Sequence, residues 1–503
     1  MTQVDVLVVG GGINGCGIAR DLAGRGFSVL LAERDDLAAH TSSASTKLVH
    51  GGLRYLEQYE FALVRKALQE REVLMKGAPH LIRPLRFVMP HDAGLRPAWM
   101  IRAGLFLYDH LARREVLPDS GGIDLRRHIV GLPLQRQFKR GFVYSDGWVD
   151  DARLVVANAI DARERGATIL TRSLVQTVAR SPAGWSATIA TASGERRVQA
   201  RALVNAAGPW AESFLRGVAQ ETPGRSLRLV KGSHIVVPQL FTHDHAYIFQ
   251  APDQRIIFAI PYEGRFTLIG TTDLELSSAA LDSPLAISAA ETDYLCAQVS
   301  RYFAKPLKPS DVVWSYAGVR PLLDDAEGSA SAVTRDYLLE RHTEGGAPLL
   351  SIWGGKITTF RRLAEDAADA LCEMLATARP RWTEHAPLPG GDLSLWIGPA
   401  QRPDLDFECF VSELARRHPW LPAPLLRRLA HAYGARVSLV LGGAHALSDL
   451  GAEVAPGLFE AELDYLRREE WALSSEDVLW RRSKLGLHLS AQQRAQVAAR
   501  LAG

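Results

Sequence analysis

The sequence predicts an α/β protein. A nucleotide-binding domain is assembled from separated segments, a β-rich domain is inserted into it, and a helical domain follows at the C-terminal end. Three observations predict this. The chain opens on an apolar run followed at once by a glycine-rich turn. It returns much later, over residues 349–375, to a second strand–glycine–helix unit. Between them, residues 227–273 are rich in β-branched and aromatic side chains with a period near two, the signature of half-buried strands.

The opening unit is the most specific. Residues 4–9 form the apolar run, and Gly10, Gly12 and Gly15 fit the pattern G-x-G-x-x-G directly after it. The first glycine permits the tight turn, the second lets backbone approach a pyrophosphate, and the third lets the next helix pack closely on the sheet. That helix, about residues 13–25, begins at Ile13 and Asn14 and aims its N-terminal amides at the phosphates. A second apolar run, residues 27–32, ends on Glu33, whose carboxylate can accept from ribose hydroxyls. Thr41, Ser42, Ser43, Thr46, Lys47 and Leu48 then lead into His50-Gly51-Gly52-Leu53-Arg54-Tyr55. This stretch reads as the flavin side of the site and brings an arginine close to the reaction centre.

Further elements follow in order. Residues 57–76 and 149–165 read as helices, and 87–89 as a strand. Residues 98–111 form an apolar-rich segment carrying Arg102, Asp109 and His110, too short and too charged to span a bilayer. A core helix is the preferred reading of it over an interfacial one. Residues 167–172, 185–191 and 196–198 alternate as an antiparallel sheet, and 201–207 is a short strand ending in Gly208-Pro209-Trp210. Strands are expected at 234–237, 255–260, 267–272, 314–321 and 349–353, and helices at 286–303 and 358–375. After the linker-like Pro387-Leu388-Pro389-Gly390-Gly391 the pattern is helical. The expected domains are 1–80, 145–225 and 345–385 for nucleotide binding, 81–144 and 226–344 for substrate, and 390–503 as the helical domain.

Composition narrows the function. With 503 residues, 47% hydrophobic and 23% charged, the chain has an ordinary globular make-up. A net charge of +2 without a basic tract argues against nucleic-acid binding. The four cysteines are far apart and form no CxxC pair, so neither a disulfide framework nor a metal site is expected. No basic region precedes the first apolar run, and no signal peptide is expected.

Candidate chemistry lies in four cations that follow turn or glycine signals: Arg54, Arg320, Arg335 and Lys356. Converging on one cleft, they would suit a dianionic phosphate monoester. His234 opens a strand after Lys231-Gly232-Ser233 and can take a proton. Thr271, Thr272 and Asp273 end a strand, where side chains commonly reach a ligand. In Gly354-Gly355-Lys356-Ile357-Thr358-Thr359 a helix begins near Thr358, and its dipole would favour the anionic reduced flavin if it faced the pyrimidine edge.

Taken together these motifs closely resemble the aerobic, FAD-dependent glycerol-3-phosphate dehydrogenases of bacteria. The resemblance runs through residues 10–17, 41–57, 144–154, 205–210, 229–238, 270–273, 314–322, 334–337 and 354–363, and includes Asp477-Val478-Leu479-Trp480-Arg481-Arg482-Ser483-Lys484. It implies an FAD-binding, Rossmann-like domain of the D-amino-acid-oxidase type and oxidation of sn-glycerol 3-phosphate to dihydroxyacetone phosphate. It also implies electron transfer to membrane quinone by a protein peripheral on the cytoplasmic face of the inner membrane, with a homodimer as the option carried for its assembly. His234 and Arg320 would be catalytic, and Arg54, Tyr55, Thr271, Arg335 and Lys356 would hold substrate. Besides the residues of the opening unit and the flavin-side stretch, Gly208, Gly354, Gly355, Lys356, Ile357 and Thr358 would meet FAD. A glycerol-3-phosphate oxidase using oxygen is the alternative, followed by an amine oxidase on the same fold and a flavin-binding sensor.

Overall fold

The computed structural model describes residues 2–92, 96–324 and 336–502. Two sheets carry the fold. In the first, the strand order is Tyr337–His342, Leu349–Gly354, Gly194–Asn205, Thr2–Val9, Val29–Ala32 and Thr168–Leu170, with the hairpin Leu174–Ser181 and Gly184–Thr191 joined to Gly194–Asn205. Thr2–Val9 lies parallel to its neighbours, with Val6 opposite Val29 and Leu7 opposite Leu203. Leu203 in turn faces Leu349. The two strand–glycine units at opposite ends of the sequence therefore sit two strands apart in one sheet.

Side-chain alternation divides the core. Val6 and Val8 pack on one face with helices Ile13–Gly24, Asp151–Glu164 and Phe360–Met374. Leu7, Val9 and Leu30 pack on the other with Trp185, Phe214 and Trp353. Each such fully buried aliphatic chain contributes about 1.5–3 kcal/mol relative to exposure.

The second sheet has ten strands among the described residues. Leu227–Pro238 is its longest rail, pairing with Phe266–Gly270, Leu274–Leu276 and Trp314–Leu323. Ile256–Tyr262, Ala246–Gln250, Ile82–His91, Arg140–Val149 and Leu48–Val49 complete the path, and Gly121–Asp124 pairs with Arg140–Val149. Ile235 and Val237 face helix Ala289–Ser300, whereas Val236 faces helices Phe61–Gly77 and Ala98–His110. Leu48–Val49 pairs with the end of Arg140–Val149, which stitches the flavin-side stretch to this sheet. The C-terminal helices Pro403–Arg417, Ala423–Tyr433, Glu460–Glu470 and Ala491–Ala502 close around Phe410, Leu429, Leu466 and Val478.

The structure corrects the sequence reading in three places. Residues 196–198 and 201–207 belong to one strand, Gly194–Asn205, because its inner half also pairs parallel with Thr2–Val9. The late helix begins at Phe360, after a short turn Ile357–Thr359. The Thr358 hydroxyl, in that turn, accepts from the His50 amide at 3.2 Å. Ala98–His110 is not a core helix. Leu105 and Tyr108 are buried, but Trp99 is 70% exposed and Phe106 56%.

Candidate active site

The glycine turn is built for backbone contact. A Cβ on Gly10 would lie 2.4 Å from the Ala206 carbonyl oxygen, and one on Gly15 only 1.9 Å from that of Gly10. Gly12 caps helix Ile13–Gly24 with extended backbone and no side-chain cap. The first amides of that helix remain for a ligand, except that Ile13 N–H donates to Ser42 Oγ at 2.9 Å. A cavity of about 240 Å³ opens here, lined by Gly10, Gly12, Glu33, Thr41, Ser42 and Gly208 among others. Gly208 stands there at φ +58.

Glu33 follows the strand Val29–Ala32 and lines this cavity. Its carboxylate accepts from the Gly11 amide at 2.6 Å and the Asp35 amide at 2.8 Å. Burial raises its pKa, against the lowering effect of those two amides. Arg34 lies over the Trp210 ring at 4.0 Å, giving the cavity a flat cationic wall. Neither Arg34 and Trp210 nor the facing Ser173, Leu174 and Val175 stood among the expected contacts. The end of a second strand and the Gly208-Pro209-Trp210 turn were the available signals.

The two glycine units meet at Asn14. Its Nδ2 donates to the Gly354 carbonyl at 3.2 Å, and its buried Oδ1 has no partner among the described residues. A Cβ on Gly355 would lie 3.1 Å from Asn14 Nδ2. Gly52, at φ +77, turns the flavin-side stretch, and the Gly51 amide donates to Tyr108 Oη at 2.9 Å. Ser43 Oγ donates to the His40 carbonyl. Lys47 is buried, and its ammonium pairs with Asp151 at 2.8 Å and donates to the Ser43 carbonyl. Its charge thus has a protein partner, which the sequence reading missed. A carboxylate at the start of a helix was the signal.

A second cluster of expected site residues forms where Leu227–Pro238 meets Phe266–Gly270 and Trp314–Leu323. His234 stands opposite Gly270 and Tyr316. Its ring stacks on Tyr316 at 4.7 Å, and its Nε2 lies 3.0 Å from Thr46 Oγ1. Burial, with Lys47 and Arg320 nearby, pushes its pKa well below the usual 6.5. Thr271 and Arg320 meet over Gly232: a Cβ there would lie 2.7 Å from Thr271 Oγ1 and 2.8 Å from Arg320 Nη2. Arg320 Nη2 donates to the Thr272 carbonyl at 2.9 Å and pairs with Asp273. Behind them, Glu291 accepts from Ser233 Oγ at 2.7 Å and Thr272 Oγ1 at 2.8 Å. Burial opposes its ionisation, but Lys231, the Ser288 amide and the two hydroxyls prevail and lower its pKa to about 2.

Lys356 places its ammonium 3.8 Å from the centre of the Tyr55 ring. Arg54 lies in the same short turn as Tyr55, Leu53–Gln58. His234, Thr271 and Arg320 are thus gathered at one strand junction, and Tyr55 and Lys356 form a second pair. Arg335 lies outside the described residues.

Residues 5–361 match the family described as FAD dependent oxidoreductase, and residues 381–502 match the C-terminal domain of alpha-glycerophosphate oxidase. The chain belongs to the FAD-dependent oxidoreductase family, and FAD is its cofactor. Within that class it is similar to polyol-phosphate dehydrogenases. It is 52% identical to a glycerol-3-phosphate dehydrogenase of Pseudomonas aeruginosa, covering 98% of this chain and 94% of that protein. It is 50% identical to the D-erythritol 1-phosphate dehydrogenase of Brucella abortus (98% and 96%). With the aerobic glycerol-3-phosphate dehydrogenase of Escherichia coli it shares 47% identity (99% and 97%). The solved glycerol-3-phosphate dehydrogenase from Bacillus halodurans, complexed with FAD, superposes with a TM-score of 0.78 at 29% identity, covering 99% of this chain and 90% of that one. The residues present fit the cofactor: glycines where no Cβ has room, a helix N-cap, Gly12, lining a cavity, and the unpartnered Asn14 Oδ1 beside the second glycine turn.

Proposed function

We propose that the protein oxidises sn-glycerol 3-phosphate to dihydroxyacetone phosphate, the bound flavin accepting the hydride, and that the electrons pass to membrane quinone. The observation that carries this is the junction of His234, Thr271 and Arg320 beside the flavin-side stretch, joined through His234 and Thr46.

Arg320 is held from behind by Asp273 and the Thr272 carbonyl, which leaves the rest of its planar fork for the substrate's anionic oxygens. Arg54 and Lys356 add positive charge for phosphate, and Thr271 supplies a hydroxyl. His234 rests neutral because its burial and the neighbouring cations disfavour imidazolium, and the substrate's phosphate charge offsets those cations when it binds. Its Nε2, on the edge facing Thr46, accepts the C2 hydroxyl proton as the C2 hydride departs. Arg320 stabilises the developing alkoxide.

One observation favours a second substrate. The 50% identical Brucella abortus relative is named for D-erythritol 1-phosphate, another polyol phosphate. The C-terminal match to a glycerophosphate oxidase domain keeps oxygen as the alternative acceptor. The test is an anaerobic absorbance titration. Bleaching of the flavin band near about 450 nm by sn-glycerol 3-phosphate, but not by glycerol, is expected. Preferential bleaching by D-erythritol 1-phosphate would replace the substrate. Reoxidation by a quinone analogue rather than oxygen separates dehydrogenase from oxidase.

For the membrane, we propose peripheral contact on the cytoplasmic face of the inner membrane. Among the described residues no helix is long and apolar enough to cross a membrane. The outer face of Ala98–His110 exposes Trp99, Met100, Phe106 and Leu107 beside Arg102, the composition of an interfacial helix.

A further inference from the structure

The stretch Asp477–Arg482 belongs to the C-terminal domain, and nothing in the reaction uses it. Its charged side chains nevertheless leave that domain. Arg482 grips Asp36 with two nitrogens, Nη1 to Oδ2 at 2.6 Å and Nη2 to Oδ1 at 2.8 Å. Arg481 Nε adds a third contact to the same carboxylate at 2.7 Å. Arg481 also pairs with Asp477, whose other oxygen accepts from Arg172 Nη2 at 2.5 Å. The result is one chain of charges, Arg482–Asp36–Arg481–Asp477–Arg172. Asp36, Asp477 and Arg482 within it are at most 3% exposed.

Two of its members, Asp36 and Arg172, flank the two walls of the cofactor cavity. Asp36 lies between Arg34 and Ala38, both of which line that cavity. Arg172 immediately precedes Ser173, Leu174 and Val175, which line the other side. The walls already share backbone bonds, Ser173 N–H to the Glu33 carbonyl and Arg172 N–H to that of Asp35, each at 2.7 Å. The C-terminal domain adds a side-chain tie to these, and Arg482 is anchored at home on the Glu470 carbonyl at 2.6 Å.

We infer that Asp477, Arg481 and Arg482 act as a clasp, by which the C-terminal domain holds the adenosine end of the cavity closed on FAD. They are positioning residues and touch no reacting atom. A buried ion pair brings specificity of arrangement more than stability, which suits a clasp. Removing one link leaves its partner charges buried and unpaired and lets the walls part. The inference rests on FAD occupying this cavity.

The test measures FAD affinity on the full chain, stripped of cofactor and titrated with FAD by flavin fluorescence. Asp36→Asn breaks the link to the wall that carries Arg34 and Ala38. Arg172→Gln breaks an end that is partly solvent-accessible and should fold normally. Glu469→Gln is the control: it cuts the Arg163–Glu469 bridge between the same two domains, and neither residue lines the cavity. Both clasp variants should bind FAD about tenfold more weakly, a usual size for coupling between sites, with the control unchanged. Equal weakening in all three variants would reduce the clasp to general domain adhesion. Unchanged affinity in Arg172→Gln and Asp36→Asn would overturn it. A parent protein that takes up no FAD would instead sink the reading of the cavity itself.

Discussion

His234 Nε2 lies 3.0 Å from Thr46 Oγ1, a contact between residues 188 positions apart that joins the substrate sheet to the flavin-side stretch. Tyr316 strengthens the join, stacking on His234 and donating its hydroxyl to the Ser45 carbonyl at 2.8 Å. The proposed proton acceptor and the stretch proposed to meet the flavin are therefore fixed relative to each other before substrate arrives, which is what positional catalysis needs.

Arg320→Ala should lower kcat/KM by about a thousandfold, the scale of removing a charge-stabilising donor from a reacting site. Flavin content of the purified variant should equal that of the parent, because the Arg320 bonds given above go to Thr272 and Asp273. Steady-state kinetics with the absorbance ratio of flavin to protein checks both. A variant that loses flavin would place Arg320 in the cofactor site instead.

Gly15→Ala should abolish cofactor retention. Its Cβ would sit 1.9 Å from the Gly10 carbonyl oxygen, so either the turn or the helix must move. Overpacking of this kind costs about 1–3 kcal/mol and sometimes more. Flavin content and the melting temperature are the readouts, and a variant with full flavin and an unshifted melt would contradict the packing argument.

Stability should fall on mild acidification, through His80. This side chain is 3% exposed, and burial together with Arg153 and His431 lowers its pKa to about 3. Unfolded, it titrates near its ordinary value of about 6.5. Between those two values the unfolded chain binds the extra proton. The stabilisation is complete above about pH 6.5 and falls by about 2 kcal/mol at pH 5. His431, lowered to about 4, acts with the same sign. Urea unfolding of the parent and of His80→Gln at pH 7.5 and 5 should show a shallower pH dependence in the variant. Identical slopes would mean that His80 is not the titrating group.

Sedimentation with vesicles should depend on Ala98–His110. Trp99→Ser with Phe106→Ser should release the protein from anionic lipid vesicles while its turnover with a soluble acceptor is kept. These two side chains are among the most exposed apolar ones in the molecule, and burying them supplies most of the apolar gain at this helix. Undiminished pelleting would move the contact elsewhere.

The sequence made some of this legible and hid the rest for physical reasons. The opening strand–turn–helix was readable because its glycines are demanded by local sterics, and Gly10 and Gly15 meet backbone just as that reading requires. Local pattern likewise found the strand that carries His234, although only its last residues, since Leu227–Pro238 continues well upstream. What stayed hidden depends on residues distant in sequence. That Lys47 is neutralised by Asp151, or that Glu291 backs Ser233 and Thr272, follows from tertiary pairing alone. Ala98–His110 misled because a run of apolar residues looks alike whether its outer face meets protein or something else.

The bond from Asn14 to the Gly354 carbonyl, with Leu203 seated beside Leu349, also sets a timetable. The glycine turn is made well before the strand and turn that complete its surroundings, which come last among that sheet's members. At about 5–20 residues per second, roughly 20–70 s separate the two. Until then the sheet edge at residues 203–205 lacks its partner strand, so the surroundings of the glycine turn are completed only once residues 349–354 have been made.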